Sequence, residues 1–195
     1  LGVIGKPSGV ATAAAKFIRE AGGRVRIVCG AWKKVAPEIR RELRQAIATG
    51  GAGIRITDRP FIYLDKNYVR LLGGVEPAVK RARAYDPERV IAVQIRGEIQ
   101  PVAEEALAAA QAGAGILMVD TGRLADLAAV AAAVRGNGGR GKMLLAYAGG
   151  VTPADVQAVV DAGADIVDVG RAIIDAPLLD FSLDVISGTC NPERG

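Results

Sequence analysis

Short apolar runs alternate with longer amphipathic segments along most of the chain. Six of the runs are typical of β-strands, and they cover residues 25–29, 61–64, 90–95, 115–120, 143–148 and 166–170. Four of the six are continuously apolar over several positions, as expected of strands that are covered on both faces of a sheet. The amphipathic segments predict helices over residues 8–21, 38–48, 76–85, 101–112, 123–134 and 153–162.

Two of the predicted helices carry terminal signals. Ser8 is placed to cap the first helix, and a glycine pair follows its last residue. Thr152, Pro153 and Asp155 are the cap, the first-turn proline and the first-turn acid of a typical helix start.

Strands that alternate with helices of about 10–15 residues predict parallel βα units with right-handed connections. Six units rather than eight predict an α/β fold, a parallel (βα) barrel of about six strands that is incomplete or open. A doubly wound open sheet is the alternative, because periodicity alone does not separate the two. The length fits a single domain over 1–195, in which the glycine-rich stretch 136–141 is a loop.

The composition excludes several classes of protein. Half of the residues are hydrophobic and only 4% are aromatic, so aliphatic side chains must fill the core. The longest apolar stretches, such as 127–134, fall short of the ~18 residues of a membrane span, and no signal segment is recognised. The net charge of +4 is spread along the chain and the aromatic residues are scattered, which is unlike a nucleic-acid surface. A soluble globular protein is therefore expected.

The residues that are missing also narrow the chemistry. With no histidine in the chain, zinc is not expected, and the basic excess indicates a pocket for a small anion. The two cysteines, Cys29 and Cys190, form no metal or redox spacing, which favours a reducing cytoplasm.

Glycines follow the last two predicted strands. In parallel α/β proteins ligands bind at the carboxyl ends of the strands, and in barrels the last two loops frequently form a phosphate site. The backbone N–H groups of Gly149, Gly150 and Gly170 could approach an anion without an intervening Cβ, and Arg171 could add a charged contact. The alternative is that these glycines only turn the chain.

Polar side chains end the third and fourth predicted strands. Asp120 follows a fully apolar run and could hold Mg²⁺ or ribose hydroxyls, or cap the next helix. Alternation places Gln94, Arg96 and Glu98 on one face, where they line a cleft or meet solvent.

Charged residues also follow the first two predicted strands. Lys33, Lys34 and Arg55 are cations of the kind that bind phosphates or carboxylates, although lone lysine pairs usually lie on the surface. Asp65 and Lys66 could pair with each other, for a gain of about 0–1 kcal/mol.

The order of these motifs resembles the nicotinate-nucleotide diphosphorylase (carboxylating) family, also called quinolinate phosphoribosyltransferases, from about residue 4 to 186. Ser-Gly-Val-Ala-Thr at 8–12 resembles the family's Ser-Gly-Ile-Ala-Thr, and Lys-Lys-Val-Ala-Pro-Glu-Ile-Arg at 33–40 its Arg-Lys-Thr-Thr-Pro-Gly-Leu-Arg. Leu-Met-Val-Asp at 117–120 resembles its Met-Leu-Asp strand end, and Gly-Gly-Val at 149–151 its Ser-Gly-Gly-Ile loop. The closing segment at 169–182 has the family's spacing.

The resemblance implies the family's catalytic barrel, which transfers phosphoribose from phosphoribosyl diphosphate to quinolinate with Mg²⁺ and releases CO₂. It implies a small phosphorylated substrate and a homo-oligomer. Asp120 and Lys34 are then the expected catalytic residues, with Asp120 and Glu98 at the metal. Lys33, Arg55, Gly149, Gly150, Gly170 and Arg171 are expected to bind substrate and phosphate.

The departures from the family concentrate at the expected acceptor site. Where the family has Gly-Gly-Gly-His-Asn-His-Arg, residues 49–55 keep the arginine and lose both histidines. The family's Lys-Asp-Asn-His becomes Asp65-Lys66-Asn67-Tyr68, and two acidic positions become Gln94 and Arg96. A dicarboxylate would meet Asp65 in place of a lysine, so quinolinate is a poor expectation as substrate.

Three functions are therefore considered. The first is a divergent phosphoribosyltransferase-like barrel, and the second is a non-catalytic barrel that binds a ligand or partner. The third is another phosphate-binding barrel enzyme, with Lys66 as a Schiff-base residue. The family's N-terminal domain is not recognised in a sequence that begins at Leu1, so a fragment, or a protein that works without that domain, is expected.

Overall fold

The fold is a single parallel sheet covered by helices. A computed structural model describes residues 2–136 and 143–185. Its six strands are β1 (Arg26–Val28), β2 (Phe61–Leu64), β3 (Val90–Ile95), β4 (Ile116–Asp120), β5 (Leu144–Ala148) and β6 (Ile166–Asp168). They are arranged in the order β1-β6-β5-β4-β3-β2, and every neighbouring pair is parallel. The carboxyl ends of all six strands therefore meet at one end of the sheet.

Eight α-helices of the described residues connect or flank these strands. They are α1 (Gly2–Ala21), α2 (Arg40–Thr49), α3 (Lys66–Leu71), α4 (Val75–Tyr85), α5 (Val102–Gln111), α6 (Leu124–Gly136), α7 (Val156–Asp161) and α8 (Arg171–Ile174). Short 3₁₀ turns lie at Ala31–Lys34, Pro37–Ile39 and Pro153–Asp155. None of the helices in the described ranges is both long and apolar enough to cross a membrane.

The two faces of the sheet are packed differently. Leu117 and Val119 of β4 belong to a large core shared with the helices, whereas Ile116 and Met118 belong to a second cluster. That second cluster is built from strand residues, Ile56 and their immediate neighbours, with no helix residue. Helices thus cover only the convex face, and strand side chains fill the concave face, as in a barrel. This packing confirms the open parallel barrel and removes the doubly wound alternative.

The barrel stays open between its first two strands. β1 and β2 stand at opposite ends of the strand order, and residues 50–60 pass between them. Within the described residues, the extended pairing on this side of β1 is a single parallel bridge between Val28 and Gly53. The sheet therefore has two edges, and the expectation of an incomplete barrel is confirmed.

Some predicted boundaries were wrong. α1 begins at Gly2 and contains Pro7, so Ser8 lies inside the helix and does not cap it. The extra turns are held by a distant segment, since Lys6 Nζ donates to the Ala176 carbonyl at 2.6 Å. The Leu179 N–H likewise donates to the backbone oxygen of Gly5, at 3.1 Å.

Two further differences are local. The predicted helix 153–162 divides into a 3₁₀ turn and α7, and α3 was not predicted. Cys190 and most of the predicted loop 136–141 lie outside the described residues.

Candidate functional site

A cavity of about 980 Å³ lies at the carboxyl ends of the strands. Its floor is formed by side chains that alternate inward from β2 to β6: Tyr63, Gln94, Met118, Asp120, Ala148 and Asp168. Its rim is formed by residues from three segments, which are 30–34, 149–152 and 170–177. Sites for small molecules have volumes of about 300–1,000 Å³, and this cavity lies within that range.

Strand register places two carboxylates at the same depth in this cavity. Asp120 of β4 pairs with Ala148 of β5, and Ala148 in turn pairs with Asp168 of β6. Since side chains at paired positions point to the same face of a sheet, both acids face the concave side.

The loop after β5 makes a close backbone contact with the loop after β4. Gly149 has φ +131°, and a Cβ added there would lie 2.3 Å from the Cα of Gly122. Gly150 has φ +77° and open space around its own missing Cβ. Glycine is therefore required at 149 both by backbone conformation and by contact, and at 150 by conformation.

Among the described residues, three glycines of the loops after β5 and β6 have backbone N–H groups without a protein partner. In the part of the chain that the structure describes, the N–H groups of Gly149, Gly150 and Gly170 donate to no protein acceptor. All three glycines line the cavity that Asp120 and Asp168 line. A ligand with several acceptor oxygens can satisfy such donors together.

Asp120 is held from one side by two donors. Arg96 Nη1 donates to its Oδ2 and to its backbone oxygen, each at 2.9 Å. Gln94 Nε2 donates to the same Oδ2 at 3.0 Å, and Gln94 Oε1 accepts from the Lys66 N–H at 2.7 Å. Both side-chain donors contact Oδ2, so Oδ1 is the oxygen that can accept from a ligand hydroxyl.

Asp168 has different surroundings. Its Oδ1 accepts from the Gly30 N–H at 3.1 Å. Burial raises the pKa of the Asp168 carboxyl, the Gly30 N–H and the nearby Lys33 oppose that rise, and the charge of Asp120 adds to it. The same burial raises the pKa of the Tyr63 phenol, with Asp168 and Asp120 adding to the effect. Asp168 thus has one backbone hydrogen-bond donor, and the nearby lysines act on it through their charge.

The predicted cations divide into two groups. Lys33, Lys34 and Arg171 line the cavity, and the Lys33 ammonium lies 5.8 Å from the centroid of the Tyr63 ring. The Arg171 guanidinium is almost fully exposed and pairs with Asp175 at 3.1 Å. Arg55 is exposed and is not among the residues that line the cavity. Lys33 and Lys34 thus lie together on one side of the cavity, and Arg171 and Lys66 are the other cations of the described residues that line it.

Asp65 and Lys66 both line the cavity, but they do not pair with each other there. Asp65 caps α3, since its Oδ1 accepts from the N–H groups of Asn67 at 2.8 Å and Tyr68 at 3.1 Å. The carboxylate that stands in place of the family's lysine is therefore used to start a helix.

The two magnesium ligands expected from the resemblance, Glu98 and Asp120, are both engaged by arginine side chains. Glu98 is outside the cavity lining and accepts from Arg70 Nε and Nη2, both at 2.7 Å, and from Arg96 Nε at 3.2 Å. Asp120 is engaged by Arg96 as described above. The described residues contain no group of three or more acidic, histidine or cysteine side chains placed to hold a metal. Arginine donors occupy both oxygens of Glu98 and Oδ2 of Asp120, so Oδ1 of Asp120 alone stays open, and a divalent cation needs several oxygen ligands.

Two cavity residues were not identified from the sequence as functional, namely Asp168 and Tyr63. Asp168 is the last residue of β6, just as Asp120 is the last residue of β4. That shared position is a signal that could have found it. Tyr63 carries no such signal, because an aromatic residue in an apolar strand is usually part of the core.

Comparisons with known proteins point to one family. A family model, "Quinolinate phosphoribosyl transferase, C-terminal domain", matches residues 10–184. A "Probable nicotinate-nucleotide pyrophosphorylase", carboxylating, from Archaeoglobus fulgidus is 30% identical over 189 residues, which are 95% of this chain and 70% of that protein. The human "Nicotinate-nucleotide pyrophosphorylase", carboxylating, is 28% identical over 98% of this chain and 63% of its own length.

A solved structure shares the same fold. The nicotinate-nucleotide pyrophosphorylase from Pyrococcus furiosus superposes with a TM-score of 0.77 at 21% identity, over 93% of this chain and 50% of that one. This chain spans about two thirds of the length of its two curated relatives above. On the family match and the identity to the archaeal protein, the chain belongs to the quinolinate phosphoribosyltransferase family, through that family's C-terminal domain.

Proposed function

We propose that this barrel binds a phosphorylated sugar of the phosphoribosyl diphosphate type and transfers its phosphoribosyl group. The observation that carries the proposal is the set of unpartnered N–H groups at Gly149, Gly150 and Gly170, which line one cavity with Asp120. A phosphate offers several acceptor oxygens, and backbone amides bind it without the flexibility of long side chains. The match to the family model of quinolinate phosphoribosyl transferase supports the same proposal.

Each group around the cavity then has a role. The glycine amides bind the sugar phosphate, and Lys33 and Lys34 bind the diphosphate. Oδ1 of Asp120 accepts from a ribose hydroxyl, and its charge faces the reacting carbon. In the transfer, the bond from ribose C1 to the diphosphate oxygen breaks and its electron pair leaves with diphosphate. A new bond forms from C1 to a lone pair of the acceptor.

The charges of this site match the charge that develops during the transfer. Negative charge grows on the departing diphosphate beside the two lysines. Positive charge grows on the ribose beside Oδ1 of Asp120, which keeps its partial negative charge although Arg96 pairs with Oδ2. The acceptor would lie against Asp65 and Lys66, which offer one charge of each sign. A dicarboxylate is therefore not the acceptor that this wall favours.

Calorimetric titration with phosphoribosyl diphosphate, with and without Mg²⁺, tests the binding step. We expect saturable binding by the wild type and about tenfold weaker binding by Lys34→Gln, since a charged hydrogen bond is worth about 1.5–3 kcal/mol. Lys80→Gln is the matched control, because Lys80 is an exposed residue of α4 that pairs with Glu76. No saturable heat from folded wild-type protein, in either condition, would refute the proposal.

Release of diphosphate separates a transferase from a barrel that only binds its ligand. The wild type is incubated with phosphoribosyl diphosphate and a panel of aromatic carboxylates, and diphosphate is measured. Release that depends on the acceptor is expected. Tight binding without release would favour the non-catalytic barrel instead.

A further inference from the structure

We infer that Arg96 is a built-in cation that takes the place of a protein-bound divalent metal at Asp120, and that it acts as a positioning residue through that carboxylate. The inference rests on the proposed function only for the identity of the ligand. Its geometry stands on the described residues alone.

Arg96 lies between Asp120 and Glu98, the two expected metal ligands, and contacts both. Its Nη1 lies 2.9 Å from both Oδ2 and the backbone oxygen of Asp120. The Gln94 amide adds a second N–H donor to Oδ2, at 3.0 Å. An oxygen that already accepts from two donors offers little to a cation that needs six or more oxygen ligands.

The charges around Arg96 already balance. Arg70 donates twice to Glu98 at 2.7 Å, and Arg96 bridges Glu98 to Asp120. Two guanidinium groups thus face two carboxylates, and their formal charges cancel. The Arg70 guanidinium holds the pKa of Glu98 below its usual range, with Arg96 adding to the effect. A divalent cation is attracted to a net negative site, and this network is neutral.

The loop that carries Arg96 is fixed by a buried acid. Glu105 in the first turn of α5 is 4% exposed, and its carboxylate accepts from four consecutive backbone N–H groups. These belong to residues 96–99, at 2.8–3.3 Å. The backbone of Arg96 is therefore held in place independently of its side chain. This is the arrangement expected of a guanidinium with a fixed position.

Titration with Mn²⁺ alone, followed by electron paramagnetic resonance, tests the inference without any organic ligand. Wild type should show no saturable site that depends on Asp120 over the Mn²⁺ range used. Arg96→Gln should gain a saturable site with a dissociation constant at least about tenfold below the top of that range, because the change removes a positive charge from a carboxylate pair. Arg96→Lys should behave as wild type, because it keeps the charge. The double variant Arg96→Gln with Asp120→Asn should lose the gain.

The matched control is Arg89→Gln, which also unpairs an aspartate. Arg89 binds Asp86 at 2.8 Å on the surface, away from the cavity. We expect no Mn²⁺ gain in this variant, and an equal gain there would overturn the assignment. A wild-type site that is lost in Asp120→Asn, or no gain in folded Arg96→Gln, would also overturn it.

Folding of each variant is checked by circular dichroism and thermal denaturation. If Arg96→Gln does not fold, the wild type and Asp120→Asn decide the question between them. Absence of Mn²⁺ binding in both supports the inference, and binding by the wild type alone refutes it. If Mn²⁺ behaves as expected but phosphoribosyl diphosphate does not bind, the proposed function fails and the inference about Arg96 stands.

Discussion

Asp120 and Asp168 occupy equivalent places at the ends of β4 and β6, yet their surroundings are opposite. They are separated by one strand and pair in register with the same residue, Ala148. Asp120 has a guanidinium and an amide as partners. Asp168 has one backbone N–H within hydrogen-bond distance, and burial raises its pKa. Equivalent positions in the sheet thus give one neutralised and one destabilised carboxylate.

The difference shows that the position in the strand brings a side chain to the site, whereas the neighbouring loops decide which charged and polar groups surround it. At β4, the partner comes from the β3–α5 loop, which Glu105 fixes. At β6, the partner is the backbone of Gly30 after β1, and Lys33 and Lys34 act only through their charge. A side chain that carries charge at the cost of stability is typical of a functional position.

The largest loss of stability on the Asp120 side of the site is expected from replacing Glu105. Glu105→Ala leaves four backbone N–H groups of residues 96–99 without their acceptor. We expect the free energy of unfolding to fall by about 3–4 kcal/mol, because unsatisfied buried donors keep their desolvation cost. Urea denaturation measures the change.

Glu104→Ala is the control for Glu105→Ala. Glu104 is exposed in the same first turn of α5, and its loss should cost less than about 1 kcal/mol through the helix dipole. A loss of similar size in both variants would mean that the four hydrogen bonds do not fix the Arg96 loop.

A second variant disturbs the contact between the loops after β4 and β5, at Gly149. Gly149→Ala places a Cβ within 2.5 Å of both the Cα and the nitrogen of Gly122, at a backbone φ of +131°. We expect a loss of about 2–3 kcal/mol, since conformational strain and overpacking add. Gly150→Ala carries the strain without the contact, and about 1 kcal/mol is expected for it. Equal losses in thermal or urea denaturation would refute the contact between the two loops.

Much of the fold could be predicted because it depends on local patterns. All six strands follow from apolar runs, and glycines at strand ends marked the loops that border the cavity. The start of α1 could not be predicted, because proline and glycine residues such as Pro7 and Gly5 normally interrupt a helix. The contacts that stabilise this first part of α1 come from residues 176–179, which are distant in sequence. The hydrophobic periodicity of the sequence also does not show whether helices cover one face of the sheet, as in a barrel, or both faces, as in a doubly wound sheet.

The ion pairs and hydrogen bonds of the site could not be predicted from the sequence either, because they too depend on contacts between distant residues. Asp65 was considered as an ion-pair partner because its charge is visible, whereas its role as a cap depends on the turn into α3. Arg96 was seen on the same face as Glu98, but its contact with Asp120 depends on how β3 pairs with β4. Register, which is a tertiary property, decides which charges meet.

Replacing Asp168 should have a smaller effect on stability than Glu105→Ala or Gly149→Ala. A carboxyl whose pKa is raised by folding binds its proton more tightly in the native state, so stability falls as pH rises from about 4 through the native pKa. Lys33 and Lys34 reduce this loss, and Asp120 increases it. Asp168→Asn removes the ionisation and keeps an oxygen for the Gly30 N–H. It should therefore melt about 2–4 °C higher than wild type at pH 7, which is about 1 kcal/mol.

The advantage of Asp168→Asn should vanish towards pH 4, where the wild-type carboxyl is protonated. Asp58→Asn serves as the control, because Asp58 is 82% exposed and pairs with Arg26 at the surface. Its melting temperature should follow that of wild type within about 1 °C at each pH, since surface pairs contribute little. If Asp168→Asn melts lower than wild type at pH 7, the ionised carboxylate has a stabilising partner that this geometry lacks. The two strand-end acids would then be alike, and the contrast between β4 and β6 would be lost.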